Sequence, residues 1–482
     1  MYTMNFNHGM RYYNEKQLES LKDKIFELLE KRGVKINHQP VMKLLQKQGA
    51  KVDFDSEIVL FPKKFMEEQL EKAPRTFQLK ARNPKFTLDF PHPEGSFYTR
   101  ACTGGQNWLD PETGEFRRVT LKDLAYWARL ADRLEHIDYT PFLVPNDAPP
   151  ATADIHALKT MLENSEKHIW IQPYTGESVE YLVRLLVAAA GGESELCENP
   201  LASWVTCSLS PLVFKWMDME IIFQAASHGC ALQSCSLPGS GITGPFTAGG
   251  SVLLSAVENL VMLAVAQVVQ EGTPVIATSL QFSGDMSTGK SLQSSVESLR
   301  QSALFVRLMQ DAFNIPAHTY GTGSDSPDID SQGMVERSMR AMLIAASGAS
   351  VLGGAGQLEV ACSVSPVALA VDNEIFKMVK AIVREMTFDD DQLAWNELMN
   401  IDYGGQFLTC RHTLKHCREA IRPINFTRMT RDSWAGSGSR DLNSRVSEYL
   451  RGLMKDAGPI DLPMETKKEM AAIIKQADGK LC

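Results

Sequence analysis

Apolar residues recur at helical spacing through 17–31, where Leu18, Leu21, Ile25, Leu28 and Leu29 share one face and Gly33 follows as a stop. The segment 14–48 therefore predicts helix. Between 51 and 110 the period shortens: β-like runs at 57–61, 77–81, 86–90 and 97–102 alternate with Pro and Gly turns. A third rhythm begins at Thr120, which with Asp123 forms a capping-box-like start for a helix through Leu134. Short apolar runs then alternate with long helical segments: 139–144 with 152–164, 168–173 with 177–190, 203–207 with 211–227, and 231–236 with 252–270. The alternation continues with 274–281 and 292–313, 317–320 and 331–346, and 350–352 and 370–385. Ser210-Pro211 reads as an N-cap with Pro at the first helical position, and Gly191-Gly192, Gly229 and Gly348 read as helix stops.

Seven strand–helix units in succession require parallel strands. With an eighth strand placed at 405–409 and a short helix at 413–420, they predict a closed (β/α)8 TIM barrel rather than an open doubly wound sheet. The expected organisation is an accessory helical and small-β region over 1–118, a barrel over 119–425 and a C-terminal helical tail over 426–482.

Charge and composition narrow the partners. The formal net charge is -9 and no long basic run appears, which disfavours nucleic acid and anionic membrane. The apolar run 252–269 is interrupted by Ser255, Glu258, Asn259 and Gln267, so it reads as a buried core helix and not a membrane span. The N-terminus is polar, without the apolar core of a signal peptide. Nine cysteines, an odd number without a C-x-x-C pair, fit free thiols in a reducing cytoplasm, the expected location.

Barrel enzymes place their chemistry in the loops that follow the strands. Those loops hold Gln172-Pro173-Tyr174, then Cys207, Ser208 and Ser210, then the Gly-rich 236–250 stretch. Gln281-Phe282-Ser283, 321–330 and 353–359 complete the set. They are rich in Gly, Ser and Thr and poor in His, Cys, Asp and Glu, which argues against heavy acid–base catalysis. One Gly-dense loop is an ordinary tight turn; three on one face suit close backbone approach to a large flat ligand. Gly354-Ala-Gly356 is followed by Glu359 and lies late in the chain, so it is not a dinucleotide fingerprint. No Walker A motif, G-x-S-x-G elbow or H-E-x-x-H is present. His228, Cys230, Cys235 and Cys362 do not converge: His228 falls in a last helical turn and Cys230 at the far end of its strand, so no metal site is expected. Tyr98, Trp108, Trp170, Tyr174, Phe246, Phe282 and Tyr320 are placed near the mouth, where aromatic faces attract quaternary ammonium groups. Trp170 and Phe282 read equally well as packing residues, whereas Tyr98, Tyr174 and Tyr320 adjoin polar loops.

An ordered set of short motifs carries a resemblance. It comprises Ala101-Cys102-Thr103-Gly104-Gly105, Thr120-Leu-Lys-Asp-Leu, Ser210-Pro-Leu, and Pro238…Gly241-x-Thr243-Gly-Pro-x-Thr247-Ala-Gly249 with Glu258 in the next helix. Gly323-Ser324-Asp325 with Asp330 and Gln332, Gly354-Ala-Gly356, and Phe407-Leu-Thr-x-x-His412-Thr-Leu follow in order. From about residue 10 to 450 this set resembles the trimethylamine methyltransferase family. The resemblance implies a barrel that presents a methylated amine to the cobalt of a corrinoid (cobalamin) carried by a cognate corrinoid protein. The founding members carry pyrrolysine in the mouth; this chain has only standard residues and is similar to the non-pyrrolysine branch, whose substrates include glycine betaine, proline betaine and carnitine. The 321–327 loop is the expected place of the replaced residue.

The chemistry so implied fits the loops. A quaternary amine departs as a neutral tertiary amine and needs no general acid. The cofactor supplies the nucleophile, and the protein orients one N–CH3 bond and excludes water. A cage gripping the cation too tightly would stabilise substrate over transition state, so a partial cage is expected. The expected substrate contacts are Tyr98, Tyr174, Tyr320, Gln172, Phe282 and Glu359. Gly239, Gly241, Thr243, Ser324, Asp325, Gly354 and Gly356 are expected to face the corrinoid. A carboxylated quaternary amine is the expected substrate, trimethylamine is not, and a homo-oligomer is expected. The competing readings are a zinc-dependent, thiol-activating barrel methyltransferase and a non-catalytic betaine-binding protein.

Overall fold

The computed structural model describes residues 12–482. Eight parallel strands close into a barrel. In chain order they are β1 (Tyr98–Ala101), β2 (Tyr139–Pro141), β3 (His168–Ile171), β4 (Ala202–Cys207), β5 (Leu232–Ser236), β6 (Val275–Ser279), β7 (Ala317–Tyr320) and β8 (Val351–Ala355). The ladder closes where β8 pairs with β1 and β1 with β2. The helices around it are α1 (Leu121–Arg133), α2 (Ala153–Asn164), α3 (Val179–Ala190), α4 (Trp216–Ser227), α5 (Ala248–Val269), α6 (Val296–Phe313), α7 (Ser331–Ala346) and α8 (Pro366–Val383).

The barrel thus opens at Tyr98, inside the stretch expected to be accessory, and 405–409 contributes no strand. The physical reason is the sequence of β1. The β-like run at 97–102 is this strand, but its inward positions are Tyr98 and Arg100, and an antiparallel hairpin (Asn107–Leu109 with Phe116–Arg118) separates it from α1, which hides the strand–helix unit. Thr120 and Asp123 do form the capping box that starts α1.

A second correction concerns α4, which starts at Trp216 and not at Pro211. The Ser210 hydroxyl donates to Glu258 instead of capping a helix, Leu212 sits at φ 62, and Val213–Phe214 pairs in parallel with Val34–Ile36.

Helix α5 is long and apolar enough to cross a membrane by length and composition, yet it is buried inside the protein. Helices Glu15–Lys31, Gln39–Lys47 and Lys63–Lys72 cover its outer side. Of its polar interruptions, Gln267 ties the turn at Gly272 and Thr273 that follows the helix, and the others point to the strands. Asn259 bonds Ser234 and the backbone of Thr278, while Ser255 bonds Ser279 and Gln281. Buried polar groups that are satisfied in this way fix one register of helix on sheet.

At the N-terminal end a hairpin of Phe77–Leu79 and Leu88–Phe90 closes the barrel. The Tyr98 hydroxyl donates to the carbonyl of Asp89, and His168 Nδ1 to that of Lys80. The open end is therefore the C-terminal one, as the barrel rule requires. Helices Leu442–Met454 and Met464–Leu481 pack on the outside of the helical ring.

Candidate functional site

Alternation along the strands selects the inward side chains. Arg100 on β1 is fully buried and directed across the barrel. Its Nε donates to His318 Nε2 at 2.9 Å, and Nη1 donates to the carbonyl of Ala101 at 2.9 Å. The guanidinium stacks over Trp170 at 4.4 Å and stands 5.7 Å from the Tyr320 ring. Since His318 Nε2 accepts, its proton is on Nδ1, which faces Thr278 Oγ1 at 3.2 Å. Burial, and then the neighbouring Arg100, hold the His318 pKa well below the ordinary range, so the ring is neutral. Gly353 on β8 makes room for this pair: a Cβ there would stand 2.6 Å from His318 Nε2 and 2.9 Å from Arg100 Cζ. Two donors are left over. Arg100 Nη2 and the Trp170 indole N–H are both buried without a partner.

Above this layer the mouth is mostly neutral. Gln172, Cys207, Leu237 and Phe282 are half-buried there. Gln172 accepts from Thr103, which follows β1. Cys207 and Cys235 are in register on β4 and β5, and Cys235 is pushed well above the ordinary thiol range, first by burial and then by Cys207. Among the described residues no three His, Cys, Asp or Glu side chains gather as a metal site. His228 caps its own helix through Nδ1 and the carbonyl of Gln224, and Cys362 is exposed.

The expected substrate residues separate. Tyr320, at the C-terminal end of β7, and Phe282 and Gln172 do come together around the mouth. Tyr98 does not: it is the first residue of β1, on the closed floor, packed against Phe90 and His92. Tyr174 turns outward, its ring against Phe142 and its hydroxyl on the carbonyl of Leu143. Glu359 accepts from Ser363 in a turn where Glu359, Val360 and Ala361 all have positive φ. The residues expected to face a corrinoid also divide. Gly241 and Thr243 are exposed on the rim, while Gly239 is buried and donates to Thr243 Oγ1. Ser324 is buried on Glu336, and Asp325 accepts from the backbone of Gln293 and Ser294. Gly354 and Gly356 are buried: a Cβ on the first would stand 2.7 Å from Tyr320 and on the second 2.4 Å from Trp127. Their lack of a Cβ permits this close packing. The 321–327 loop lies against β8, with the Gly323 Cα beside Gln357.

From sequence, the β-like run at 97–102 falls in the accessory region, so Arg100 is passed over, and with it His318 on the strand at 317–320. Once that run is placed in the barrel, a charged residue on its inward face is the signal that finds them.

The rim is built on a buried carboxylate. Glu258 of α5 accepts from the hydroxyls of Ser208, Ser210 and Ser236 at 2.6, 2.7 and 2.5 Å and from the backbone N–H of Leu212 at 2.9 Å. It thereby pins the loops after β4 and β5. Beyond it Ile242, Phe246 and Met286 are 56%, 56% and 71% exposed. They are neighbours: the Gly241 Cβ position is within 3.4 Å of Phe246 and Met286, and that of Gly284 is 3.1 Å from Ile242.

The trimethylamine methyltransferase family model matches residues 3–481. The chain is similar to a trimethylamine methyltransferase of Desulfitobacterium hafniense (strain DSM 10664 / DCB-2), 28% identical over 473 residues, covering 98% of this chain and 95% of that protein. It is similar to a glycine betaine methyltransferase of Desulfitobacterium hafniense (strain Y51), 27% identical over 469 residues, covering 96% of each. Among solved structures it resembles the monomethylamine methyltransferase of Methanosarcina barkeri, with TM-score 0.53, 11% identity, and 95% and 92% of the two chains covered. At that identity the likeness concerns the fold alone.

Proposed function

The chain belongs to the trimethylamine methyltransferase family, and on that premise we propose that it moves a methyl group from a quaternary amine of betaine type to a corrinoid held by a partner protein. That it is a methyltransferase follows from the family; the donor and the acceptor are the proposal. The observation that carries it is the mouth itself, whose half-buried side chains Gln172, Cys207, Leu237 and Phe282 include no carboxylate, imidazole or amine. A quaternary amine leaves as a neutral tertiary amine, so none is needed. The relative named for glycine betaine supports the same donor class.

The barrel's own work is binding, orientation and exclusion of water. Tyr320 and Phe282 limit how the ammonium lies, and the sealed floor lets substrate approach only from the mouth. When bound, the corrinoid supplies the nucleophile that accepts the methyl group. The apolar rim of Ile242, Phe246 and Met286 suits a partner that covers the mouth, since exposed apolar clusters mark docking surfaces. Self-association belongs to the same reading: Met386, Phe388, Leu398, Met399, Leu408 and Leu414 are all more than half exposed.

The test is to mix the purified protein with reduced cobalamin and glycine betaine, proline betaine, carnitine or trimethylamine, and to follow methylcobalamin absorbance. Formation with a betaine is the expected result. Robust formation with trimethylamine and none with any betaine would overturn the proposal.

A further inference from the structure

We infer that Arg100 is the carboxylate anchor of the substrate site, and that it restricts the barrel to amines carrying an acid group. The inference rests on the quaternary-amine reading above and names the residue that would select within that class.

The case begins with an unbalanced charge. Arg100 is fully buried, and no ion pair includes it among the described residues. Among the described residues the other buried cations, Arg337, Arg340 and Lys167, leave no buried side-chain donor unpartnered. Arg337 holds both oxygens of Asp372 at 2.7 Å, and Lys167 donates to the carbonyls of Ala131, Leu134 and Ile137. A buried charge that has neither a counter-charge nor all its hydrogen bonds is costly, and Arg100 lacks both. The groups around Arg100 cannot supply the missing negative charge. His318 is neutral, and burial pushes the pKa values of Cys102, Cys235, Tyr139 and Tyr320 up, so all four stay protonated.

The leftover donors specify the ligand. Arg100 Nη2 and Trp170 Nε1 are unpartnered N–H groups on two side chains stacked 4.4 Å apart. A group with one negative charge and two acceptor oxygens satisfies both at once, and a carboxylate is that group. Its route is from the mouth. Nη1 bonds to Ala101, the last residue of β1, and the ladder sets Gly353, beside the guanidinium, level with Tyr320 at the end of β7.

The same geometry excludes bare cations. A guanidinium under the aromatic layer repels any ammonium that enters alone. A zwitterion with carboxylate and ammonium one methylene apart brings its own compensation; choline and trimethylammonium do not.

The experiment compares three ligands by calorimetry and thermal shift on the full chain. Glycine betaine carries both groups, 3,3-dimethylbutyrate keeps the carboxylate with an uncharged tert-butyl group, and choline keeps only the ammonium. Wild type should bind the first two and not choline. Arg100→Gln should weaken both carboxylates by about tenfold to a hundredfold, with Arg100→Lys in between. Failure of 3,3-dimethylbutyrate to bind wild type would overturn the inference even if Arg100→Gln does not fold, and so would a folded Arg100→Gln that binds betaine normally. The two readings fail separately. Carboxylate binding that depends on Arg100, without methyl transfer from any quaternary amine, sinks the proposed donor and leaves the anchor standing. Transfer from betaine that ignores Arg100 does the reverse.

Discussion

One methyl group added at Gly353 tests the central pair without touching its charges. Gly353 does not occupy the left-handed region, so its backbone accepts alanine. The new Cβ would stand 2.6 Å from His318 Nε2 and 2.9 Å from Arg100 Nε and Cζ, against 3.4 Å for ordinary contact. The ring must therefore retreat by about 0.8 Å and the guanidinium by about 0.5 Å, and a hydrogen bond of 2.9 Å cannot keep its length through both shifts. Overpacking of this kind costs about 1–3 kcal/mol. A hydrogen bond to a charged group adds about 1.5–3 kcal/mol when it is lost. Partial relaxation leaves about 2–4 kcal/mol, of which 1.4 kcal/mol suffices for a tenfold loss of carboxylate affinity. Gly353→Ala should thus melt below wild type and bind glycine betaine at least about tenfold more weakly. Gly452→Ala, in an outer helix where a Cβ meets nothing within 4 Å, is the control and should be neutral or slightly stabilising. If Gly353→Ala melts and binds like wild type, the Arg100–His318 geometry is not what positions the anchor.

Three shorter tests follow. Tyr98→Phe removes only the bond to Asp89 on the floor, so it should cost about 1 kcal/mol in a melt and leave betaine affinity unchanged; weaker betaine binding in calorimetry would return Tyr98 to the substrate site. Phe246→Asp should raise the KM for a corrinoid protein at least about tenfold while betaine affinity holds, and an unchanged KM would remove the rim from the docking surface. Burial raises the Asp218 carboxyl from the ordinary 3.8 to about 6, so the folded chain holds that proton more tightly than the unfolded one. Stability from this group is full below the unfolded value and falls as pH rises through about 6, by at most about 3 kcal/mol, and melts of Asp218→Asn across that window should lose this slope.

The alternation from Thr120 onward was readable because each later strand has apolar inward or outward neighbours that repeat in register with a long helix. Strand β1 was readable as a β-like run at 97–102 but not as a barrel strand, because its helix arrives only after an intervening hairpin and the run sits among the short β pieces of the accessory region. Assigning that run to the accessory region moved the eighth strand to 405–409 and hid the charged centre of the barrel. The polar breaks in α5 were readable as signs of burial, but their purpose was not: Glu258 meets Ser208 and Ser210 across 50 and 48 residues of chain. Position relative to a strand end also proved a weaker guide than side-chain direction. Tyr174 and Tyr320 both lie near strand C-termini, yet only Tyr320 packs inside, because the backbone of Tyr174 is held by Asp154 while its ring turns to Phe142. The contact that matters most, Arg100 with His318, joins residues 218 positions apart, and no local period reports what stands opposite an inward side chain.

An anchor beneath the reacting group also bears on rate. The Arg100 charge attracts the carboxylate throughout the reaction, which is uniform binding and lowers KM alone. Its repulsion of the ammonium is different, because the amine loses its positive charge as the N–CH3 bond breaks and the electron pair stays on nitrogen. At a separation of ~6 Å and an effective dielectric of ~20, two unit charges repel by about 3 kcal/mol. A transition state with roughly half of the charge gone is relieved of about 1.4 kcal/mol, or about tenfold in rate. Trp170 and Tyr320 do not cancel this advantage, since each already presents its face to the guanidinium. Arg100→Gln should therefore raise KM for betaine and also lower kcat by about tenfold at saturation, whereas Arg100→Lys, which keeps the charge, should raise KM with kcat nearly intact. A purely structural role would lower active-site occupancy without this split between the two variants. If Arg100→Gln raises KM and leaves kcat at the wild-type value, the guanidinium holds substrate and does nothing to push the methyl group off.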